Sequence, residues 1–368
     1  MRVTSLQLEQ FRNYSTLSAE FHPGINIIYG ENAQGKTNLL EAISYFSHAR
    51  SERTRSDREM IAFGCDAAAL RIGIRSRDRD FQLEAVLNRT GRKKLSKNGI
   101  RAKSGMDFAG ILNTVLFSPE DLYLIREGAA ARRRFLDASI GQLRPRYAQA
   151  LTEYNRLYDH KLRILKDWRE KPDLLETLDD FNLRLAQTGA VLIHYRAHYI
   201  RKLREYAPAI HLEFSGGRER LELSYQTVKE VTDAEAVPSK LLPQLLAQQS
   251  RLRQAELDSE SCLAGAHKDD LLIKISGYSA KSFGSQGQIR TAALSLKLAE
   301  REIFYHDTGE YPVLLLDDVL SELDPGRQEF VLNRIQGGQV FITCCEEERL
   351  HILKDGKIFR IRNGAILE

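Results

Sequence analysis

Gly30-Glu31-Asn32-Ala33-Gln34-Gly35-Lys36-Thr37 has the spacing G-x-x-x-x-G-K-[ST]. Before it runs Gly24-Ile25-Asn26-Ile27-Ile28-Tyr29, an apolar β-branched stretch that reads as a buried strand. After it runs Asn38-Leu39-Leu40-Glu41-Ala42-Ile43, apolar at helical spacing. Strand, glycine loop and helix form the setting in which this motif binds nucleotide phosphates. The glycines let the main chain curl until its N–H groups face one hollow. The helix start adds the positive end of its dipole. On this reading Gly30, Glu31, Asn32, Ala33, Gln34 and Gly35 cradle the phosphates of ATP. Lys36 reaches the β- and γ-phosphates, and Thr37 ligates Mg²⁺.

Upstream, Val3 to Leu8 and Leu17 to Phe21 read as strands, with Phe11-Arg12-Asn13-Tyr14 between them. Arg12 is either solvated or folded back onto the nucleotide. Downstream, the loop from Arg50 to Arg58 is basic, with Arg53, Arg55 and Arg58 close together. Ala69 to Ile74 and Phe81 to Leu87 alternate as strands do. Residues 89–103 then carry seven cations and no acid. Asn98-Gly99 within them signals a type I′ hairpin turn. The cations form either a solvated face or a surface for the phosphate backbone of DNA. Arg53, Arg55, Arg92, Lys93, Lys94 and Lys97 are the candidates for that contact.

Phe117-Ser118-Pro119 reads as a helix start, and Arg132-Arg133-Arg134-Phe135-Leu136-Asp137 lies on helical ground. From Tyr147 the pattern is helical for about sixty residues, broken at Lys171-Pro172-Asp173. This predicts a helical hairpin of about thirty residues each way, its aromatic residues packed. Leu212 to Tyr225 reads as two short strands around Gly216-Gly217, and Asp233 to Cys262 as helix. Gly265-Ala266-His267-Lys268-Asp269-Asp270 is polar and tight, with His267 structural in role.

Ser285-Gln286-Gly287-Gln288 runs into a helix, which makes a second anion-binding start. Val313-Leu314-Leu315-Leu316-Asp317-Asp318 is a buried strand ending in two acids, a Walker B element. Asp317 is placed to hold Mg²⁺, and Asp318 to orient and deprotonate water. Both motifs must share one metal ion although nearly 280 residues part them, so both chain ends build one α/β lobe. Residues 1–117 and 286–368 form that lobe, and 118–285 a mainly helical inserted lobe.

Composition adds limits. The 368 residues are 42% hydrophobic and 28% charged, with a net charge of +4. That is ordinary globular composition which permits nucleic acid without demanding it. The start has no secretory signal pattern and no apolar run spans a bilayer, so a cytoplasmic protein without a membrane partner is expected. Cys65, Cys262, Cys344 and Cys345 include no C-x-x-C pair and form neither a disulfide framework nor a metal site.

The order of these motifs resembles the ABC-type ATPase heads of the SMC and Rad50 group. Phe11-Arg12-Asn13-Tyr14, the phosphate loop, Arg132 to Asp137, Ser285 to Gln288 and Leu315 to Asp324 together resemble the RecF family of bacterial recombination mediators, over the whole chain. The resemblance implies an α/β P-loop ATPase head with a helical lobe and no long coiled coil. It implies an ATP-dependent homodimer, in which Ser285, Gln286, Gly287 and Asp324 reach the nucleotide of the partner copy. It also implies weak ATP hydrolysis used as a switch and binding to duplex DNA near single-strand gaps. The implied partners are RecR and RecO, loading RecA in gap repair and replication restart. Lys268 stands where the family has arginine. No Q-loop glutamine is evident near Phe117-Ser118-Pro119. Thr343 falls where a switch histidine is expected. Those gaps, and the lack of a full Leu-Ser-Gly-Gly-Gln signature, disfavour a transporter ATPase. A structural SMC or Rad50 head would need longer arms, and a scaffold without turnover would not need Asp317 and Asp318.

Overall fold

The computed structural model describes residues 1–54, 56–335, 337–345 and 356–367, apart from the side chain of Glu322. The chain divides into two compact units, Met1–Asp121 with Leu296–Glu368, and Leu122–Ser295. In chain order the first unit opens with β1 (Arg2–Phe11), β2 (Tyr14–Glu20), β3 (Ile25–Tyr29) and α1 (Lys36–His48). β4 (Ala67–Ser76), β5 (Arg79–Asn88), β6 (Lys94–Lys97), β7 (Ile100–Arg101) and β8 (Thr114–Phe117) follow. The second unit holds α2 (Tyr123–Arg126), α3 (Ala129–Leu143), α4 (Pro145–Asp167), α5 (Leu175–Phe214) and β9 (Leu221–Gln226). It continues with α6 (Pro238–Ser259), β10 (Asp270–Ile275), β11 (Tyr278–Ser279), α7 (Ala280–Phe283) and the start of α8 (Gln286–Thr308). β12 (Val313–Leu316), α9 (Pro325–Arg334), β13 (Val340–Cys344), β14 (Gly356–Arg362) and β15 (Ala365–Leu367) complete the first unit. The boundaries expected at 118 and 285 lie at 122 and 295 in this division; α8 runs unbroken past the second, so no turn marks it.

Two sheets build the first unit. One is an antiparallel meander with the order β2-β1-β4-β5-β6-β7. The other has the order β15-β14-β3-β13-β12-β8, parallel except at its β15 edge. β12 and β13 are buried at every position, as strands covered on both faces should be. α1 packs against β4 of the first sheet and β8 and β13 of the second. Its Leu39, Leu40, Ala42, Ile43, Tyr45 and Phe46 are all buried, so the phosphate-loop helix is apolar over most of its girth. The expected hairpin turn is present, with Asn98 and Gly99 at φ +50 and +76 between paired Lys97 and Ile100.

In the second unit the helical hairpin has unequal arms. α4 has 23 residues and α5 has 40, about 35 and 60 Å at the helical rise. α5 continues through Pro208 and takes in Leu212–Phe214, which was expected to open a strand. Leu203, Ala207, Ile210 and Phe214 keep helical spacing and are all buried, so packing carries the helix on. Gly216 and Gly217, at φ +63 and +79, then end it by donating to Glu213 O and Leu212 O. The glycine pair is a helix cap, and only β9 follows as a strand. Among the described residues no helix is long and apolar enough to cross a membrane.

Candidate nucleotide site

In the parallel sheet β13 lies between β3 and β12. The glycine loop after β3 and the acids after β12 therefore leave the same edge, one strand apart, where open α/β sheets bind ligands. Thr37 Oγ1 donates to Asp317 Oδ1 at 3.0 Å, joining residues 280 positions apart. Thr343, on the strand between, donates to the same Oδ1 at 2.9 Å and accepts from the Asp318 N–H at 2.8 Å. It stands where a switch histidine was expected and braces both acids. Burial pushes the Asp317 carboxyl above the usual carboxylate range, against the pull of both hydroxyls and of Arg53. Asp318 sits at φ +54, a conformation costly for a residue with a Cβ and frequent at functional sites. Its Oδ1 accepts from Ser321 Oγ at 2.9 Å.

The loop is clamped from both ends of the chain. Asn13 Nδ2 donates to Gln34 O at 2.8 Å and Tyr14 Oη to Gly35 O at 2.9 Å. Gly364 N also donates to Gln34 O, at 3.1 Å. Gly35 has φ +114, and a Cβ there would lie 2.6 Å from Asn13 Nδ2. A Cβ on Gly30 would lie 2.4 Å from Ile361 O. Both glycines are therefore required by space, and Gly35 by conformation as well. Among the described residues nothing accepts a hydrogen bond from the main-chain N–H of Asn32, Ala33, Gly35, Lys36 or Thr37. Lys36 Nζ donates to Gly30 O at 2.6 Å and Glu31 O at 2.9 Å, and lies 3.1 Å from Cys345 Sγ.

This donor set fits a nucleotide and its metal. Unpaired N–H groups and a lysine suit phosphate oxygens. A hydroxyl beside a carboxylate supplies the hard oxygen ligands that Mg²⁺ prefers.

Arg12 is tied to the phosphate-loop helix. Its Nε and Nη2 grip both oxygens of buried Glu41, on α1, at 3.0 and 2.7 Å, and Nη1 donates to Glu59 O. Arg53, expected on a DNA-facing loop, also reaches Glu41, at 3.3 Å, and Asn38 Oδ1 at 3.3 Å. Both guanidinium groups thus brace the phosphate-loop helix. Lys93 is likewise engaged: it pairs with Asp57 at 2.8 Å, donates to Ala49 O and lies over the Tyr45 ring. Lys97 lies over Phe81, while Arg92 and Lys94 are exposed. Arg55 lies outside the described residues.

In the second unit Ser285 caps α8. Its Oγ accepts from Gln288 N at 3.3 Å, and its N–H donates to Gln288 Oε1 at 2.8 Å. Ser285 and Gln286 are exposed and Gly287 half-buried at this helix start. In the first unit exposed Asp324 caps α9 through Arg327 N.

Sequence reasoning missed a buried network in the second unit. Arg196 of α5 donates to Asp137 Oδ1, Tyr147 Oη, Ala266 O and Asp269 Oδ2. Asp269 also accepts from Tyr225 Oη and Thr227 Oγ1, and Arg132 grips both oxygens of Asp270. The Arg132–Asp137 and Gly265–Asp270 stretches are thus two halves of one structural lock. His267 accepts from or donates to Tyr154 Oη at 2.8 Å, and burial pulls its pKa down to about 4. Burial also pushes the Cys262 thiol up to about 11. All four cysteines are free, and among the described residues no acid, histidine and cysteine cluster could hold a metal ion.

A parallel sheet carrying a phosphate loop and a paired-acid strand, with a helical unit inserted between them, defines an ABC-type ATPase head. The family model for the RecF/RecN/SMC N terminal domain matches residues 2–364. The DNA replication and repair protein RecF of Clostridium perfringens is 39% identical over 369 residues, covering 100% of this chain and 99% of its own. The RecF of Oceanobacillus iheyensis is 38% identical, with 100% of both chains covered. A solved structure of the recombination mediator RecF with ATP, from the RecFOR pathway, has a TM-score of 0.91 at 36% identity, covering 99% of this chain and 96% of that one. An Smc head domain from Pyrococcus furiosus shares the fold, with a TM-score of 0.57 at 16% identity over 99% of this chain and 94% of that one. The chain belongs to the RecF family.

Proposed function

We propose that the chain is an ATP-dependent DNA-binding switch for recombinational repair of single-strand gaps and for replication restart. Two copies close face to face on ATP, Ser285, Gln286, Gly287 and Asp324 of each reaching the nucleotide of the other. Hydrolysis is slow and reopens the pair, so the dimer interface is the bistable element. The switch binds duplex DNA beside gaps and acts with RecR and RecO to load RecA, in the cytoplasm. The observation that carries the reading is the Thr37–Asp317 bond beneath a loop of unpaired N–H groups. The names of the relatives support the process, and the ATP-bound relative supports the nucleotide.

Bound Mg²⁺ and ATP supply a polarised terminal phosphate open to attack by water. The chain does the rest. The loop N–H groups and Lys36 hold phosphate oxygens, while Asn13 and Tyr14 keep the loop in shape. Thr37 and Asp317 would hold the metal. Asp318 orients water and takes its proton, and Thr343 holds both acids in register. An aspartate in that place reaches less far than a glutamate, and the Thr343 hydroxyl is already committed to Asp317. Both features suit a timer.

Sedimentation velocity with and without ATP, repeated with gapped duplex, tests the proposal. A monomer-to-dimer shift on ATP, tightened by the DNA and weakened by salt, is expected. A monomer under every condition would overturn it.

A further inference from the structure

The turn from Ala62 to Cys65 takes no part in the nucleotide site. Cys65 N donates to Ala62 O at 3.1 Å, and Gly64 supplies the positive φ, +81, that the turn needs. Phe63, at the tip, is fully exposed, at 103% of the reference area. Its support is firm on two sides. Ala62 N donates to Gln10 O at 2.8 Å, and Ile61 bridges Phe11. Arg89 Nε donates to Cys65 O at 2.8 Å, its Nη2 to Ala62 O at 3.3 Å, and its N–H to Asp66 O at 2.8 Å. A single exposed apolar side chain is commonplace. A ring fixed on a braced turn, tied by an arginine to the root of a cationic hairpin, is a more specific arrangement. Of the hairpin's cations, Arg92, Lys94, Arg101 and Lys103 are exposed, and no acid lies within residues 89–103. Exposed acids flank this stretch in sequence: Glu9 beside Gln10, Glu59 and Asp66 on either side of the turn, and Asp107, which accepts from Lys103 N at 2.6 Å; Asp57 is paired with Lys93.

We infer that Phe63 is a stacking platform for an unpaired base, with the phosphate backbone following the exposed cations of the hairpin. The partner is DNA in which single strand adjoins duplex. This rests on the DNA-binding reading above and adds the feature that selects the unpaired part. Cations hold the phosphates of duplex and single strand alike. A ring stacks on any base that has left its pair, whatever the sequence. The side chain bonded to the turn is the guanidinium of Arg89, and exposed cations follow it in the chain, so the chemistry beside the ring suits a base with its phosphate better than an apolar protein hot spot.

The test uses the full chain with ATP and three labelled DNAs: gapped duplex, single strand and blunt duplex. Binding is read by anisotropy at several salt concentrations. Phe63→Ala is expected to weaken the gapped and single-stranded DNAs about tenfold and the blunt duplex less than twofold, with an unchanged salt slope. Its ATP binding stays intact, which shows that it is folded. Phe63→Trp, in a Trp168→Phe background that removes the one native tryptophan, keeps binding and is quenched by single-stranded DNA. Equal losses on all three DNAs, or none, overturn the inference. No loss on DNA with loss of a protein partner would make Phe63 a protein anchor instead. If the unsubstituted chain binds none of the DNAs, the DNA-binding reading falls and takes this one with it.

Discussion

Two charged clusters in this molecule use similar side chains and are finished in opposite ways. Around Arg196 the guanidinium is matched by Asp137, Tyr147, Ala266 and Asp269, and Asp269 by Tyr225 and Thr227. Around Lys36, successive main-chain N–H groups have no acceptor among the described residues. The first arrangement satisfies itself and ties α3, α4, α5 and β9 of the second unit to the segment just before β10. The second leaves donors open, as the proposed anion site requires. A buried charge whose partners are internal serves the fold, whereas one surrounded by open donors serves a ligand.

The largest expected effect separates the two directly. Arg196→Ala leaves Asp269 and Asp137 without their cation and is expected to cost the second unit about 3–5 kcal/mol. Urea unfolding followed by the fluorescence of Trp168, which lies in that unit, measures it. Lys36→Ala should stay within about 1 kcal/mol in the same assay, since its amine bonds only loop carbonyls and lies beside Cys345. Equal costs for the two would break the distinction.

A second effect comes from His267, next to that lock. Burial holds its pKa near 4 in the folded chain, below its value of about 6.5 when unfolded. The unfolded chain therefore binds the extra proton first. Stability is complete above about pH 6.5 and falls as the pH drops towards 4, by up to about 3 kcal/mol. Denaturation at pH 7.5 and 4.5 should show the loss, and His267→Gln should flatten it. An unchanged slope in that variant would assign the acid sensitivity to other groups.

The third effect is on ligand. Lys36→Ala should weaken ATP about 100-fold, the value of a strong charge-assisted contact, with ATP-driven dimerisation lost as well. Isothermal titration reads it. Retained affinity would mean that the open N–H groups suffice alone.

The candidate nucleotide site was legible in sequence because phosphate chemistry calls for residue types at short spacing: glycines for the loop, a lysine and threonine at its end, acids at the close of a buried strand, and the fold brings these together. The Arg196 lock was not, because its partners lie 59, 70 and 73 positions away and no local pattern joins them. Arg53 and Lys93 show a related limit. Composition gives the sign of a charge, but Glu41 and Asp57, which bind these two, become neighbours only through the fold. Gly216-Gly217 was legible as a break but not as a helix end, since glycine interrupts either kind of element and only the buried stripe to Phe214 decides.

The smallest expected effect on ATP binding belongs to Ser285, which has features of both clusters. Its Oγ and N–H are matched by Gln288, as in the lock, yet it is exposed at the start of a long helix, as an anion site would be. Ser285→Ala removes the cap and should cost about 1 kcal/mol of stability. It should leave ATP affinity within about twofold, because the loop that holds the nucleotide is Lys36's own. Its dimerisation on ATP should nevertheless fail. Ser285→Asp separates the two roles: a carboxylate keeps a cap acceptor but repels a phosphate brought to the helix start. If both variants stay monomeric with ATP in sedimentation velocity, Ser285 acts on the nucleotide across the dimer. If Ser285→Asp dimerises as the unsubstituted chain does, the serine is only a cap, and the helix start belongs with the self-satisfied cluster.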